Sequence, residues 1–320
     1  MNYIKKLDEK IIDKLRCPFC KNHIKRTDDK FICESCLTEF PKYQINIGSK
    51  HEHAFNFCIQ YPSFCIPTEV KKWSDIQEGY EERSTYNSVS DDLEHYKKEI
   101  DSVKEIYTKE FNLTGDILDV GGHLGRLRHF LKDEDAASYI SVDPYLQVFR
   151  NLDSQPNLQK AYPCISKPCN FLACYAENLP FADDSFDWVH MRSVLDHFKD
   201  PYLALKEARR VLKTGGFLFI GTSLEDKARE RKKKLTRLAS KANPISLLFR
   251  IKNKLKNEGI KGIKTAVNNR INKKSTNHTH MYELQYDELV ELLRVTNFHV
   301  DKVHFQKIFG ADCVYISAKK

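Results

Sequence analysis

The chain has 320 residues, of which 41% are hydrophobic and 30% are charged. This composition excludes a short disordered peptide and is sufficient for one globular domain with an appendage. No run reaches the roughly 18 apolar residues of a membrane-spanning helix, and the charged amino terminus lacks the apolar stretch of a signal peptide. We therefore expect a soluble, unsecreted protein in the cytoplasm, a reducing compartment.

The amino-terminal segment contains two cysteine pairs, CPFC and CESC, which are separated by twelve residues. Each pair can present two thiolates from a tight turn, and two such turns close a tetrahedron around zinc. Four cysteines leave no open coordination position, so the pattern predicts a structural zinc rather than a catalytic one. A thiol redox pair is the alternative. The spacing thus predicts a zinc ribbon over residues 1–50, with the ligands Cys17, Cys20, Cys33 and Cys36.

Residues 51–90 are rich in aromatic residues and proline without clean periodicity. This composition predicts a connector that packs against the neighbouring domains and is not a free linker. The following segment, from Asp91 to Phe111, has helical spacing of apolar residues. Asp91, with Glu94 three residues later, resembles a capping box and predicts the start of this helix.

Strand-length apolar runs then alternate with helical stretches as far as the carboxyl terminus. Seven such runs are present: GDILDVG, YISVD, FLACYA, FDWVHM, GGFLFIGT, HVDKVHFQ and DCVYISAK. The alternation predicts an α/β fold with a Rossmann-like, doubly wound seven-stranded sheet, and the last two runs predict a closing antiparallel hairpin. One connecting helix has a clear start at Asp200 and Pro201 and a predicted stop at Lys213 and Gly215.

Two acidic residues end successive strands of this predicted sheet. Asp119 is followed by a glycine-containing turn and a helix, and Asp143 comes 24 residues later at the end of the second strand. At the carboxyl edge of a doubly wound sheet, glycine permits close approach of a ligand and the helix amino terminus offers free backbone donors. Asp143 can accept hydrogen bonds from both ribose hydroxyls of a nucleotide-like cofactor.

Four segments in this order resemble the class I S-adenosylmethionine-dependent methyltransferases of type 11: ILDVGGHLG, VDP, YAENLPFADDSFDWVHMRSVLDHFKDP and ARRVLKTGG. The resemblance covers residues 91–320 and implies S-adenosylmethionine as cofactor. It places these residues around the cofactor: Asp119, Gly121, Gly122 and Gly125 near its methionine and ribose parts, Asp143 at the ribose, Ala176 and Glu177 at the adenine, and Arg192 beneath it, facing the substrate.

Three further positions bear on activity. His197 follows the fourth strand and can act as a general base for an acidic nucleophile, because its unperturbed pKa is near 6.5. A purely structural role at a helix end is the alternative. His123 replaces the central glycine of the first motif, and Tyr175 replaces the acid that usually meets the adenine amine. These departures favour, as an alternative, a catalytically silent scaffold.

The segment 227–274 contains 17 Lys and Arg residues but only two Glu. It lies within a predicted helical cap insertion, residues 225–278, near the mouth of the cofactor site. The charge predicts either a solvated lid or contact with an anionic membrane surface, and hence a peripheral location at the inner membrane surface. RNA is the less favoured partner, since Phe249 is the only aromatic residue there.

The leading functional hypothesis is methylation of an oxygen or nitrogen atom of a small acceptor or one linked to a lipid or sugar. An RNA methyltransferase is an alternative, because a zinc ribbon ahead of this domain also resembles ribosomal RNA guanine methyltransferases. A small-molecule acceptor and a structural zinc remain the expected partners in the leading hypothesis.

Overall fold

The computed structural model describes residues 2–58, 68–81, 91–131, 138–150, 152–224 and 284–320. Within them, eleven strands form one sheet in the order β1-β2-β3-β4-β7-β6-β5-β8-β9-β11-β10. The strands are β1 Ile24–Arg26, β2 Lys30–Cys33, β3 Glu39–Ile47, β4 Lys50–Asn56, β5 Ile117–Val120, β6 Tyr139–Val142, β7 Asn170–Ala173, β8 Phe186–Arg192, β9 Leu212–Ser223, β10 His299–Ile308 and β11 Ala311–Lys319. The helices are α1 Glu9–Ile12, α2 Thr68–Glu81, α3 Leu93–Glu105, α4 Pro156–Ala161, α5 Pro201–Val211 and α6 Tyr286–Val295.

The central part of the sheet is parallel. Strands β7, β6, β5, β8 and β9 pair in parallel, whereas β11 runs antiparallel to both β9 and β10. All residues of β5, β6 and β7 are buried, as expected for strands that are covered on both faces. The predicted seven-stranded, doubly wound sheet with a closing antiparallel hairpin is confirmed.

The ends of two elements differ from the sequence-based expectation. Asp92, not Asp91, caps α3 and accepts hydrogen bonds from the backbone of Glu94 at 2.9 Å and of His95 at 3.3 Å. Asp91 instead accepts from the backbone of the first turn of α4, at 2.8 and 2.9 Å. The prediction that Asp91 opens α3 was therefore wrong, because its carboxylate serves a neighbouring helix that is distant in sequence.

Helix α5 begins as predicted, with the Asp200 side chain accepting from the backbone of Leu203. It ends at Val211, and β9 starts at the next residue, earlier than the predicted stop. Lys213 belongs to the strand, where its Nζ atom lies 2.8 Å from an oxygen of Asp116 and 2.9 Å from one of Asp187. These two carboxylates hold the segment in line with the sheet.

The amino-terminal ribbon continues the sheet. Strands β1 and β2 form an antiparallel hairpin, and β4 pairs in parallel with β7, with Phe55 opposite Leu172 and Asn56 opposite Ala173. Residues 1–224 and 281–320 form one compact unit that contains both the ribbon and the large sheet. The domain boundary at residue 50 stays a prediction, and in the structure β4 extends across it.

The predicted basic insertion 225–278, with its charged stretch 227–274, lies outside the described residues. The predicted connector 51–90 is described in part, as the end of β4 and the helix α2. None of the helices in the described ranges is long and apolar enough to cross a membrane.

Candidate active site

A cleft of about 600 Å³ opens where the carboxyl ends of β5, β6, β7 and β8 meet at one edge of the sheet. This volume is within the usual range for small-molecule sites, and the carboxyl edge of such a sheet is where ligands bind. The predicted site residues that line the cleft are Gly121, Asp143, Ala176, Glu177, Arg192 and His197.

The turn after β5 alternates between ordinary and left-handed backbone. Gly121, His123 and Gly125 have φ angles of 66°, 52° and 69°. A Cβ atom at Gly121 would lie 2.4 Å from Cγ1 of Val194, so no larger residue fits there. His123 lines the cleft and itself has left-handed backbone, at a cost of roughly 1–2 kcal/mol for a residue with a side chain.

Asp119 does not line the cleft. Its carboxylate is buried below the turn, where it accepts a hydrogen bond from the Tyr139 hydroxyl at 2.5 Å and lies 2.7 Å from Nδ1 of His190. The Nε2 atom of His190 is in turn 2.8 Å from the Tyr107 hydroxyl. Burial and the neighbouring Asp119 carboxylate raise the pKa of Tyr139 well above its usual value. Asp119 therefore ties the strand ends together, and its contact with the cofactor stays a prediction.

Gly122 and Gly125 also lie outside the lining of the cleft, and their approach to the cofactor stays a prediction. A Cβ atom at Gly122 would come within 2.5 Å of the Asp119 carboxyl carbon and 2.6 Å of the Ser141 hydroxyl oxygen. Gly122 thus provides the space in which the Asp119 side chain packs.

Strands β6 and β7 are each followed by a buried carboxylate, that of Asp143 and that of Glu177. Asp143 is 8% exposed and accepts a hydrogen bond from the backbone of Tyr145 at 2.9 Å. Glu177 accepts from the backbone of Lys199 at 2.7 Å and of Asp200 at 3.1 Å. Asp143 is placed to contact a ligand, whereas Glu177 also fixes the loop that leads into α5.

Aromatic side chains border the cleft beside Glu177. Trp73 of α2 packs edge-on against Tyr175, with ring centroids 5.5 Å apart, and the Nζ atom of Lys199 lies 3.6 Å from the Tyr175 ring centroid. The indole of Trp73 donates a hydrogen bond to the backbone oxygen of His197 at 2.7 Å. Sequence reasoning missed Trp73 and Gln77, because α2 lies in the connector that shows no clean periodicity.

His197 lines the cleft just after β8, with its Nε2 atom 4.0 Å from Oδ1 of Asp196. Two thiols also lie near the cleft. Burial raises the pKa of Cys58 to about 12 and that of Cys174 well above its usual value. Because a thiolate is the nucleophilic form of cysteine, neither thiol is a nucleophile at neutral pH. His197 shares the described lining with two other imidazoles, those of His95 and His123.

The end of the cleft beyond the glycine turn is lined by α3, by Arg126 and by the tip of the β10–β11 hairpin. Two oxygens of Glu99 lie 3.1 and 3.3 Å from Nη1 of Arg126. His95, Glu99 and Ser102 recur at helical spacing, so they share one face of α3. This polar face of α3 could have indicated from the sequence that the helix lines the cleft, but the sequence-based prediction did not use it.

The four amino-terminal cysteines form a separate cluster, in which all sulfur atoms lie within 4.8 Å of one another. Cys17 and Cys36 are 3.6 Å apart at their sulfur atoms, and Cys20 and Cys33 are 3.3 Å apart. Four thiolates in a tetrahedron with zinc–sulfur bonds of about 2.3 Å have sulfur atoms roughly 3.8 Å apart. The cluster fits a tetrahedral metal site of this size.

Residues 118–220 match the methyltransferase domain family. The predicted class is confirmed for this part of the chain, a methyltransferase domain with a four-cysteine cluster ahead of it.

Individual relatives are similar only in part. An uncharacterized protein of Methanocaldococcus jannaschii is 37% identical over 94 residues, which are 28% of this chain and 45% of that protein. The uncharacterized methyltransferase YcgJ of Bacillus subtilis is 29% identical over 121 residues, 36% of this chain and 44% of that protein. The matched segments thus span less than half of these curated relatives.

Two solved structures show partial similarity to this chain. A Pyrococcus horikoshii protein is 16% identical, with 75% of this chain and 98% of that chain covered and a TM-score of 0.44. An S-adenosylmethionine-dependent methyltransferase of Aquifex aeolicus is 16% identical, with 71% and 98% covered and a TM-score of 0.41.

Proposed function

We propose that this chain is an S-adenosylmethionine-dependent methyltransferase that methylates an oxygen or nitrogen atom of a small acceptor, or of one linked to a lipid or sugar. The observation that carries the proposal is the cleft at the carboxyl edge, where the strained turn at Gly121 and the buried Asp143 lie on neighbouring strands. A glycine turn and a strand-end acid in this arrangement suit a nucleoside cofactor.

When bound, the cofactor would supply an activated methyl group, which would pass to the acceptor as its bond to sulfur breaks and the sulfur keeps the electron pair. Asp143 would orient the ribose, and the backbone around Gly121 would approach the methionine part. The protein's contribution is then to align the reacting atoms and to exclude water. His197 would accept the proton that an acceptor hydroxyl or amine loses.

The four-cysteine cluster is proposed to hold one structural zinc ion. Its support is the donor set, four sulfur atoms at tetrahedral spacing. Thiolate ligands need a reducing environment, and a cytoplasmic location is part of this proposal. Elemental analysis should give about one equivalent of zinc per chain.

Contact of the segment 227–274 with an anionic membrane remains a separate hypothesis, and RNA remains its alternative. Replacing Lys232, Lys233 and Lys234 with Gln should weaken sedimentation with anionic vesicles and leave neutral vesicles unaffected. RNA binding would instead show a steep dependence of affinity on salt.

The decisive experiment is calorimetric titration of the full chain with S-adenosylhomocysteine. Asp143→Asn should weaken binding about tenfold or more, because it removes a charged acceptor of hydrogen bonds. Asp101→Asn is the matched control, since Asp101 is exposed on α3 and lies outside the cleft. Absence of binding at millimolar concentration would refute the proposal. Binding without methyl transfer to any tested acceptor would favour the scaffold alternative.

A further inference from the structure

A single arginine stands at the carboxyl end of β8, at the boundary between the cleft and the core. Arg192 is half-buried and lines the cleft. Gly221 on the neighbouring strand provides its space, because a Cβ atom there would lie 3.3 Å from Cγ of Arg192 and 2.8 Å from the Tyr315 ring. The side chain is thus confined rather than free on the surface.

Arg192 makes no close ion pair with a described residue. Within the part of the chain that the structure describes, no carboxylate oxygen lies within 4 Å of its guanidinium group. Burial disfavours its charge, but the surrounding acidic groups, Tyr107, Tyr315 and Glu99 among them, outweigh this effect and raise the pKa of Arg192. Arg192 therefore stays charged, and the carboxylate that acts on it, that of Glu99, is already paired with Arg126.

A second arginine in the same end of the cleft is already paired. Arg126 lies 3.1 Å from Glu99, and the two side chains together are neutral. Such a pair would suit a zwitterion: Arg126 would hold the carboxylate of the cofactor's methionine tail and Glu99 its ammonium group. The positive charge of Arg192 would then still be in excess.

The position of Arg192 points to the acceptor rather than to the ribose side of the cofactor. Strands β6 and β8 flank β5, so the strand ends that carry Asp143 and Arg192 are separated by two strand spacings, about 10 Å. A cofactor with its ribose at Asp143 would direct its reactive centre towards β8.

We propose that Arg192 binds an oxyanion of the acceptor, a carboxylate or phosphate group, and so makes this enzyme selective for anionic acceptors; this inference rests on the proposed methyltransferase function. The planar guanidinium group can donate two parallel hydrogen bonds to either oxyanion. The cofactor's sulfonium is also cationic, so an acceptor anion beside Arg192 offsets the repulsion between the two positive charges. The bound oxyanion positions the acceptor and is not itself the nucleophile, because the hydrogen bonds that Arg192 donates lower the nucleophilicity of its oxygen atoms.

The test uses the full chain saturated with S-adenosylhomocysteine and three simple probes: benzoate, phenyl phosphate and the neutral benzamide. Ligand-observed NMR titration should show binding of at least one anionic probe and weaker binding of benzamide. Arg192→Gln should weaken the anionic probe about tenfold or more and leave the affinity for S-adenosylhomocysteine within about threefold of the parent chain. Preference between benzoate and phenyl phosphate identifies the oxyanion. Arg209→Gln is the matched control, because Arg209 lies on α5 outside the cleft.

Three outcomes overturn the proposal. The first is equal binding of benzamide and the anions, and the second is unchanged anion binding by Arg192→Gln. The third is a loss of S-adenosylhomocysteine affinity above tenfold in that variant, which would assign Arg192 to the cofactor's own carboxylate. If the glutamine variant does not fold, Arg192→Lys keeps the charge and should still weaken the anionic probe, because it lacks the paired donors. Failure of the parent chain to bind S-adenosylhomocysteine contradicts the underlying function instead.

Discussion

The ribbon and the methyltransferase sheet are expected to unfold together, and Phe57 is the residue that tests this. Its ring is 2% exposed, stacks on Phe40 at 4.5 Å and lies 5.7 Å from Phe31, both in the ribbon. Its backbone donates a hydrogen bond to Ala173 of β7 at 2.7 Å. Phe57 thus joins the two parts of the molecule through both its side chain and its backbone.

Phe57→Ala should lower the free energy of unfolding by about 3–5 kcal/mol, the usual cost of deleting a fully buried phenylalanine ring. Domains of ordinary stability have only about 5–15 kcal/mol in total, so the loss is easily measured. The matched control is Phe305→Ala, whose ring is 58% exposed and which should change stability by less than about 0.5 kcal/mol.

The assay is urea unfolding followed by two independent probes. The chain has two tryptophans, Trp73 and Trp188, and both lie outside the ribbon, so their fluorescence reports on the methyltransferase domain. A zinc-sensitive dye reports on release of metal from the ribbon. The two transitions should coincide in the parent chain and shift together in Phe57→Ala. Release of metal well before the fluorescence change, or a fluorescence transition that Phe57→Ala leaves in place, would show that the ribbon folds independently.

Two further predictions concern the loop before α5 and the helix itself. Trp73→Phe removes the hydrogen bond to the His197 backbone and should weaken S-adenosylhomocysteine binding about fivefold in a calorimetric titration. Trp188→Phe is the control, because Trp188 lies outside the cleft and its loss should not weaken binding. Equal effects of the two substitutions would contradict a role of Trp73 in holding the loop before α5. Burial opposes the charge of Glu207, but hydrogen bonds from Arg210 outweigh it and lower the pKa of Glu207 below its usual 4.5. The stabilisation from Glu207 is therefore complete above that pH and is lost as the pH falls through the lowered pKa. The loss of unfolding free energy in Glu207→Gln should be largest near pH 7 and should shrink as the pH falls below 4.5 in parallel urea titrations. A loss that is independent of pH would contradict the ion pair.

Much of the fold could be predicted because its signals are local. Strand-length apolar runs, the capping residue Asp200 and the spacing of the four cysteines each depend on neighbours in sequence. The orientation of Asp119 depends instead on the strands beside it. In the sheet Asp119 is opposite Ser141 on β6 and His190 on β8, and these partners draw its carboxylate into the core. Sheet register is not readable from one strand, so the packing of Asp119 against these partners could not be predicted from its position at a strand end.

The cleft residues on α2 and α3 illustrate a second limit. His95 and Glu99 are on a helix that precedes the first motif, and Trp73 is on one with no predicted periodicity. Each reaches the cleft only because its helix packs across the carboxyl edge of the sheet. Tertiary packing of this kind is not encoded in the spacing of residues within the helix. The motif residues were therefore found from the sequence, whereas the walls that close the site were not.

Parallel pairing of β4 with β7 provides a physical reason for the ribbon's place in the chain. Without β4, β7 would be the open edge of the sheet, and an open edge exposes unpaired backbone groups that invite aggregation. The ribbon is too small to bury a sufficient core of its own, and its buried side chains, including Cys33 and Phe40, belong to the same apolar cluster as Leu172 of β7. Each part thus supplies what the other lacks. Loss of metal should consequently expose both the ribbon core and the β7 edge. The first observable effect of metal removal should therefore be aggregation of the protein rather than a simple loss of cofactor affinity.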